Sequence, residues 1–287
     1  MLPAATADLH AAQRRRIAAT LLLVEREWSG IGDDFDAGWP RVGPRLTAAL
    51  AMAQVGAARD GAAAVPAALA QAGYPVEPVA QVRPGRFAGL ASDGRPLSSL
   101  LYGSVVKARA ANVGSLAERL AVGSLFLRTV TQVQVADAGR AASQVAVAAT
   151  PGAGWVRYVN PPCCQDCAVL AGKWFAHNEG FKRHPGCDCV HRAAHEDEPP
   201  GQYVQDVPAE QIRDLTEGQR QALAEGSDLG RVVNAYRGAV PGRRARMTTA
   251  SELSTGRAAR LTPDGILARS TSREESIALL RQYGYLI

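Results

Sequence analysis

The five cysteines of this 287-residue chain all fall within one short stretch, CCQDCAVLAGKWFAHNEGFKRHPGCDC. Cys164 and Cys167 form a CxxC pair, and Cys187 and Cys189 form a CxC pair about twenty residues later, shortly after His184. Two thiol pairs at this separation are typical of chain segments that converge on one metal ion. Because such a site fixes two segments against each other, it constrains the local fold more than any other feature of the sequence.

Thiolates bind zinc strongly, and a structural zinc site takes four ligands in a tetrahedron. The sequence offers five candidate metal ligands: Cys164, Cys167, His184, Cys187 and Cys189. Our first choice is the four cysteines of this set, and the alternative has His184 in place of one cysteine. We set Cys163 aside because adjacent cysteines rarely bind one ion. Four protein ligands leave no open position, so the predicted zinc is structural.

Two other states of the thiols stay open, namely a disulfide pair and reduced thiols buried as small apolar groups. Tight clustering argues against a secreted disulfide scaffold, in which cysteines are spread along the chain. Cys187 and His191 are four residues apart, a spacing that suits a thiol nucleophile and its base on a helix. The HPGCDC context favours a turn instead, and we find neither a zinc-protease motif nor a glycine-rich phosphate loop.

Composition indicates a globular chain built mainly from closely packed helices. Hydrophobic residues make up 47% of the sequence but aromatic residues only 6%, so the core consists largely of small aliphatic side chains. The net charge of +5 tolerates a polyanionic partner without requiring one. A short basic loop offers three candidate nucleic-acid contacts: Arg243, Arg244 and Arg246. No run of about 18 apolar residues is present, so we expect no membrane contact.

Apolar periodicity and capping signals predict the secondary structure. We predict helices at about 6–28, 45–71 (interrupted near Gly61 and Pro66), 96–111 and 115–148, a helix break over 30–40, and three short helices after residue 215. The carboxylates at positions 33, 34 and 36 are interpreted as a solvated turn and an N-cap. Strands are predicted at 155–160 and 173–175, with a further short one possible at 79–82.

The predicted fold class is α+β, mostly α. A helical half at residues 1–150 precedes a small Cys/His-rich, zinc-stabilised α+β domain at 151–200. An arginine-rich tail of short helices occupies residues 201–287. The boundary at residue 150 follows the change from alanine-rich helix to the segment Thr150–Gly154.

From about Gly154 to Ile287, the chain resembles the phage Mu F-like minor head proteins. The resemblance lies in the order CxxC, LAGKWF and HPGCDC. Two tail segments, LTEGQRQALAEGSDLGRVVNAYRG and LTPDGILARSTSREESIALLRQYGYL, resemble the C-terminal part of minor capsid proteins from phages of actinobacteria. The N-terminal half resembles the family only in being helical and alanine-rich.

The resemblance implies a virion component inside the capsid at the portal vertex, present in the host cytoplasm during assembly. Its implied partners are the portal protein, the major capsid protein and packaged DNA, which it would contact non-specifically. Its implied role is to assist head assembly and DNA packaging or ejection. Members are also described as capsid maturation proteases, which is the first alternative, although the sequence holds no convincing catalytic dyad. A zinc-containing DNA-binding protein is the second alternative.

Overall fold

The computed structural model describes residues 4–112, 114–184, 186–235 and 261–287. Within these ranges the chain is an α+β protein that is mostly α, as predicted, with a long-helix N-terminal half, a small sheet around the cysteines and short C-terminal helices. The basic loop with Arg243, Arg244 and Arg246 lies outside the described residues, so its predicted role stays a prediction.

Three long helices form the N-terminal half. They are α1 (Ala4–Ser29), α2 (Phe35–Gln71) and α5 (Leu116–Ala149), and two short helices, α3 (Leu97–Leu101) and α4 (Gly103–Ala110), precede α5. The start of α5 is a capping box: the Ser115 side chain accepts from Glu118 N, and the Glu118 carboxylate accepts from Ser115 N. The predicted helix at 96–111 is two helices, whereas the predicted helices at 6–28 and 115–148 are confirmed.

The second helix departs from the prediction at its start. It begins at Phe35, inside the expected break, because the Asp34 side chain accepts hydrogen bonds from Asp36 N and Ala37 N at 3.1 and 3.0 Å. This N-cap starts the helix ahead of Pro40 and Pro44, both of which lie within it. The capping role predicted for this acidic segment is thus confirmed for Asp34, whereas the break is shorter than predicted.

The expected interruption near Gly61 and Pro66 is also wrong, since α2 runs through both residues. Gly61 lies where α2 crosses α5, and a Cβ atom at this position would clash with the carbonyl of Gly139. The Ser143 hydroxyl donates to the Gly61 carbonyl at 2.9 Å across the crossing. Gly61 therefore permits close contact between the two helices rather than ending one of them.

A small antiparallel sheet follows α5. Its strands are β1 (Ala153–Tyr158), β3 (Trp174–Phe175) and β4 (Val190–His195), in the order β3-β1-β4. Two further short strands, β2 (Cys163–Cys164) and β5 (Ile212–Arg213), pair in parallel. The predicted strands at 155–160 and 173–175 are confirmed, whereas β4 was not predicted. The possible strand at 79–82 is reduced to a single bridge between Val82 and Leu286.

Short helices complete the described chain. They are α6 (Gln165–Leu170), α7 (Glu217–Ala224), α8 (Leu229–Ala235), α9 (Pro263–Leu267) and α10 (Arg273–Gln282). Thr216 and Ser272 cap α7 and α10, as their sequences predict. Among the described helices, none has the length and apolarity needed to cross a membrane.

The cysteine region packs directly on the long helices. One cluster of buried side chains includes Val65 and Leu69 of α2, Val147 of α5, Trp155 of β1 and four of the cysteines. Arg273 at the start of α10 also donates hydrogen bonds to carbonyls at the end of α5 and the start of β1. The small sheet thus shares its core with the helical half, while the division into domains at residue 150 stays a prediction.

Candidate metal centre

The first arm of the centre is a strand followed by a helical turn. Cys164 ends β2 and caps α6, where its Sγ accepts a hydrogen bond from Cys167 N at 3.4 Å. Since the first turn of a helix places residues three apart on one side, the two CxxC sulfurs lie close together. Cys164 is partly exposed and Cys167 is buried, so the arm reaches from the surface into the core.

The second arm is the turn that leads into β4. Cys187 N donates to the His184 carbonyl at 3.1 Å, which closes the turn predicted for HPGCDC. Because β4 pairs with β1 along its whole length, Cys189, the residue before β4, is held next to the sheet.

All five candidate ligands come together in two overlapping groups that share Cys167. The first group contains Cys164, Cys167 and His184, and the second contains Cys167, Cys187 and Cys189. Within each group the ligand atoms lie within 4.8 Å of one another. The cluster could therefore hold a metal ion, and all five cysteines of the chain are free rather than paired in disulfides.

The separations between ligand atoms fit a tetrahedral centre. Metal–sulfur and metal–nitrogen bonds of about 2.3 and 2.0 Å place two tetrahedral sulfurs about 3.8 Å apart and a sulfur and a nitrogen about 3.5 Å apart. The Cys167 and Cys187 sulfurs are 3.8 Å apart, and His184 Nε2 lies 3.2 and 3.7 Å from the sulfurs of Cys164 and Cys167. Each of these three separations is close to a tetrahedral value, and each of the two groups offers three donors to an ion.

The thiol pKa values alternate across the cluster. Hydrogen bonds with Cys167 and then His184 lower the pKa of Cys164 to about 5, although burial opposes the shift. Hydrogen bonds with Cys167 and Cys189 lower the pKa of Cys187, and the charges of Arg140 and Arg157 act in the same direction. The pKa of Cys167 is raised by its hydrogen bonds with Cys164 and Cys187. Thiols with lowered and raised pKa values therefore neighbour each other, and a bound cation would favour the thiolate form of every sulfur that binds it.

The remaining two thiols differ in position. For Cys189, the hydrogen bond with Cys167 lowers the pKa, but the hydrogen bond with Cys187 and burial outweigh it and raise the pKa to about 12. Cys163 belongs to neither ligand group, and burial followed by the nearby Cys164 charge raises its pKa to about 11. Its exclusion from the predicted ligand set agrees with this placement.

A buried network of charges supports the second arm from α5. Arg140 donates to the carbonyl of Cys189 at 2.9 Å and to the carbonyl of Cys187, and its Nη1 donates to Asp137 Oδ1 at 2.8 Å. Arg183, just before His184, also donates to the Asp137 carboxylate. We did not identify these residues from the sequence. Asp137 and Arg140 are nevertheless three residues apart in a helix segment of otherwise small and apolar side chains, and this spacing indicates a buried ion pair.

The thiol–imidazole pair considered from the sequence does not form a nucleophile and base. His191 lies on β4 rather than on a helix, and its ring packs against Trp155 and Phe181 at centroid distances of 4.4 and 4.7 Å. Burial, followed by the charges of Arg140 and Arg157, holds its pKa well below the ordinary value. Both ring nitrogens lack hydrogen-bond partners among the described residues. The imidazole is therefore a neutral packing group.

Comparisons of the chain with protein-family models, with curated proteins and with solved structures find no match. The resemblance to Mu F-like minor head proteins accordingly stays an expectation that rests on the sequence motifs. The geometry of the Cys/His cluster is the physical evidence from which a function can be argued.

Proposed function

We propose that the Cys/His cluster is a structural zinc site and that the chain is a minor head protein of a tailed bacteriophage. The observation that carries the proposal is the meeting of the CxxC and HPGCDC arms in one cluster. These two motifs also carry the resemblance to the head proteins, so the same residues support both parts of the proposal.

The donor atoms favour a thiophilic metal such as zinc over calcium or magnesium. Sulfur-rich sets with an imidazole select zinc, copper(I) or iron–sulfur clusters, whereas calcium and magnesium prefer oxygen. A single tetrahedral ion accounts for the 3.8 Å separation of the Cys167 and Cys187 sulfurs. Five donors compete for four positions, which leaves no place for a substrate or a reactive water molecule. The proposed site is therefore structural rather than catalytic.

The role of such a site is to hold the second arm, which has little regular structure of its own, against the first. The segment between Phe175 and Val190 contains neither a helix nor a strand among its described residues, and its position depends on a few anchors. Zinc would tie this segment to α6, while Arg140 ties it to α5. Because α5 also packs against α1 and α2, the centre would fix the sheet to the helical half.

In the head, we propose that the helical half contacts the portal protein or the inner surface of the major capsid protein. The basic loop Arg243–Arg246 would face packaged DNA and contact phosphates without sequence preference, so that DNA binding weakens as salt increases. The protein would occupy the capsid interior at the portal vertex after assembly in the host cytoplasm. Its task there would be head assembly and DNA packaging or ejection.

Mass spectrometry of purified virions combined with zinc quantification tests the assignment. The expected result is a low copy number of this chain in mature particles, with zinc in proportion to it. Absence of the chain from mature particles would contradict the proposal that it is a head protein. Cleavage of the major capsid protein that stops on one point substitution in this chain would favour the protease alternative instead.

A further inference from the structure

An arginine lies deep in the sheet beside the sulfurs of the centre. Arg157 is part of β1, and only 1% of its surface is exposed. Its Nη1 lies 3.8 Å from Cys167 Sγ and 4.0 Å from Cys187 Sγ, so that one N–H-bearing nitrogen faces a sulfur from each arm. Its Nη2 donates to the carbonyl of Lys182, two residues before the ligand candidate His184.

Arg157 differs from the other buried arginines in having no carboxylate partner among the residues that the structure describes. Arg140 and Arg183 share Asp137, and Arg192 pairs with Glu198 at 2.6 Å. Among the described ion pairs, none involves Arg157. Its guanidinium carbon lies 4.1 Å from the centroid of the Phe181 ring, which together with the Lys182 carbonyl lowers the cost of burial. Neither group carries a full negative charge, however, so within the part of the chain that the structure describes, the sulfurs are the groups placed to supply the compensating charge.

We propose that Arg157 is the buried counter-charge of the centre and a positioning residue that raises its affinity for a metal dication. The inference rests on the metal site proposed above. Three or four thiolates around a dication leave a net charge of −1 or −2, and burying this anion is costly without a nearby cation. Arg157 stabilises the charged sulfurs of Cys167 and Cys187 by its charge and by N–H donation. It therefore stabilises the metal-bound thiolates more than the neutral thiols of the metal-free site.

The same side chain also orders the two arms before an ion arrives. Cys167 belongs to the CxxC arm, while Cys187 and Lys182 belong to the second arm. A planar guanidinium with several fixed donors can hold both arms at once, whereas a lysine ammonium offers one point of charge. Arg157→Lys should therefore retain part of the affinity and Arg157→Met very little of it.

The test is a titration of the full-length, metal-free chain with Co²⁺, followed by the absorption of thiolate-bound cobalt and by competition with a chromophoric chelator. Arg157→Met is expected to lower Co²⁺ affinity by about 10- to 100-fold, the usual effect of losing a group that supports metal ligands. Arg157→Lys should fall between this variant and the wild type, and its cobalt–thiolate absorption band should shift because the sulfurs lose donors.

Arg192 supplies the matched controls, because it is equally buried on the neighbouring strand but contacts Glu198 rather than a cysteine. Arg192→Lys, and Arg192→Met combined with Glu198→Gln, should lower stability while leaving Co²⁺ affinity and spectrum unchanged. Wild-type affinity in Arg157→Met, or an equal loss in the Arg192 controls, would overturn the inference. If Arg157→Met does not fold, wild-type affinity in Arg157→Lys overturns it, and a selective loss relative to Arg192→Lys supports it.

The two proposals fail in distinguishable ways. A wild-type chain that takes up no cobalt removes both the metal site and the role of Arg157. A chain whose cobalt affinity depends on Arg157, but which is absent from virions, removes only the head-protein assignment.

Discussion

Replacing Asp137 with asparagine would remove the negative charge on which two buried arginines depend. The carboxylate accepts from Arg140 Nη1 and Arg183 Nε, both at 2.8 Å, and from Ser92 Oγ at 2.6 Å. Asparagine has the same shape but keeps only one acceptor oxygen, and its amide nitrogen would face an N–H donor. The Ser92 hydroxyl can rotate to accept a hydrogen bond, whereas an arginine cannot.

The expected cost follows from the burial of all three charges. Asp137, Arg140 and Arg183 are each less than a tenth exposed, so solvent cannot take over the role of the lost carboxylate. Breaking a buried ion pair by removing one partner typically lowers the free energy of unfolding by about 3–5 kcal/mol. We expect Asp137→Asn to fall in this range at pH 7.

The cost should also depend on pH in a defined direction. Burial alone would raise the pKa of Asp137, but the hydrogen bonds and charges of Arg183 and Arg140 hold it below its ordinary value of 3.8. A carboxylate with a lowered pKa in the folded state contributes stability that is complete above the unfolded-state pKa and is lost as the pH falls through the folded-state value. The difference in the free energy of unfolding between the wild type and Asp137→Asn should therefore be constant from pH 7 to about 5 and decrease below about pH 4.

The assay is urea unfolding of both proteins at pH 7 and at pH 3, with a chelator present so that metal release does not contribute. Glu25→Gln is the control, because the pair of Glu25 with Arg128 is largely exposed and should contribute at most about 1 kcal/mol. Two results would contradict this expectation. One is a decrease in the free energy of unfolding of less than about 1 kcal/mol for Asp137→Asn at pH 7, and the other is an equally large difference from the wild type at pH 3.

Two further substitutions test the anchoring of the C-terminal segment and of the centre. Arg273→Met should lower the free energy of unfolding by about 2–4 kcal/mol, because its charged guanidinium donates to four carbonyls at the end of α5 and the start of β1. Urea unfolding should detect no such loss in the Arg269→Met control, whose side chain is exposed. Replacing Cys164 and Cys167 together with serine should abolish metal binding and speed hydrogen exchange after Gly154, while circular dichroism should retain most of the helical signal. Unchanged metal content and exchange would contradict the second prediction.

The long helices could be predicted because their signals are local. Ser115 and Glu118 lie three residues apart and mark the start of α5, and the spacing of its apolar residues indicates its length. The capping of α7 by Thr216 and of α10 by Ser272 follows in the same way. The convergence of the CxxC and CxC pairs was also predictable, because metal chemistry links these residues despite their separation in the chain.

Proline and glycine signals were misleading within α2 because tertiary packing outweighed local preference. Pro40 and Pro66 were interpreted as marking breaks, yet the Asp34 cap and burial against α5 keep the segment helical. Because Gly61 has no Cβ, α5 can cross α2 closely at this point, and the contacting residues of α5 lie about eighty residues further along the chain. Sequence alone does not distinguish a glycine that ends a helix from one that lies in a helix crossing.

The surroundings of the centre were not predictable for a related reason. Arg157 is one of many arginines in the chain, and long-range pairing of β1 with β4 and with Ala171 after α6 places it beside Cys187 and Cys167. The three-residue spacing of Asp137 and Arg140 indicates an ion pair on α5, but it does not reveal that Arg183 of the second arm joins this pair. The choice among five ligands depends on distances of a few ångströms, which spacing in the sequence does not determine.

The proposed binding of a single zinc ion by the two arms, with no open position, can be tested by metal quantification and X-ray absorption spectroscopy at the zinc edge on the purified full-length chain. We expect one zinc per chain with four ligands, mostly sulfur at about 2.3 Å, plus one nitrogen at about 2.0 Å if His184 binds. A chain without metal and with its cysteines oxidised, or a zinc ion surrounded by oxygen and nitrogen alone, would contradict it.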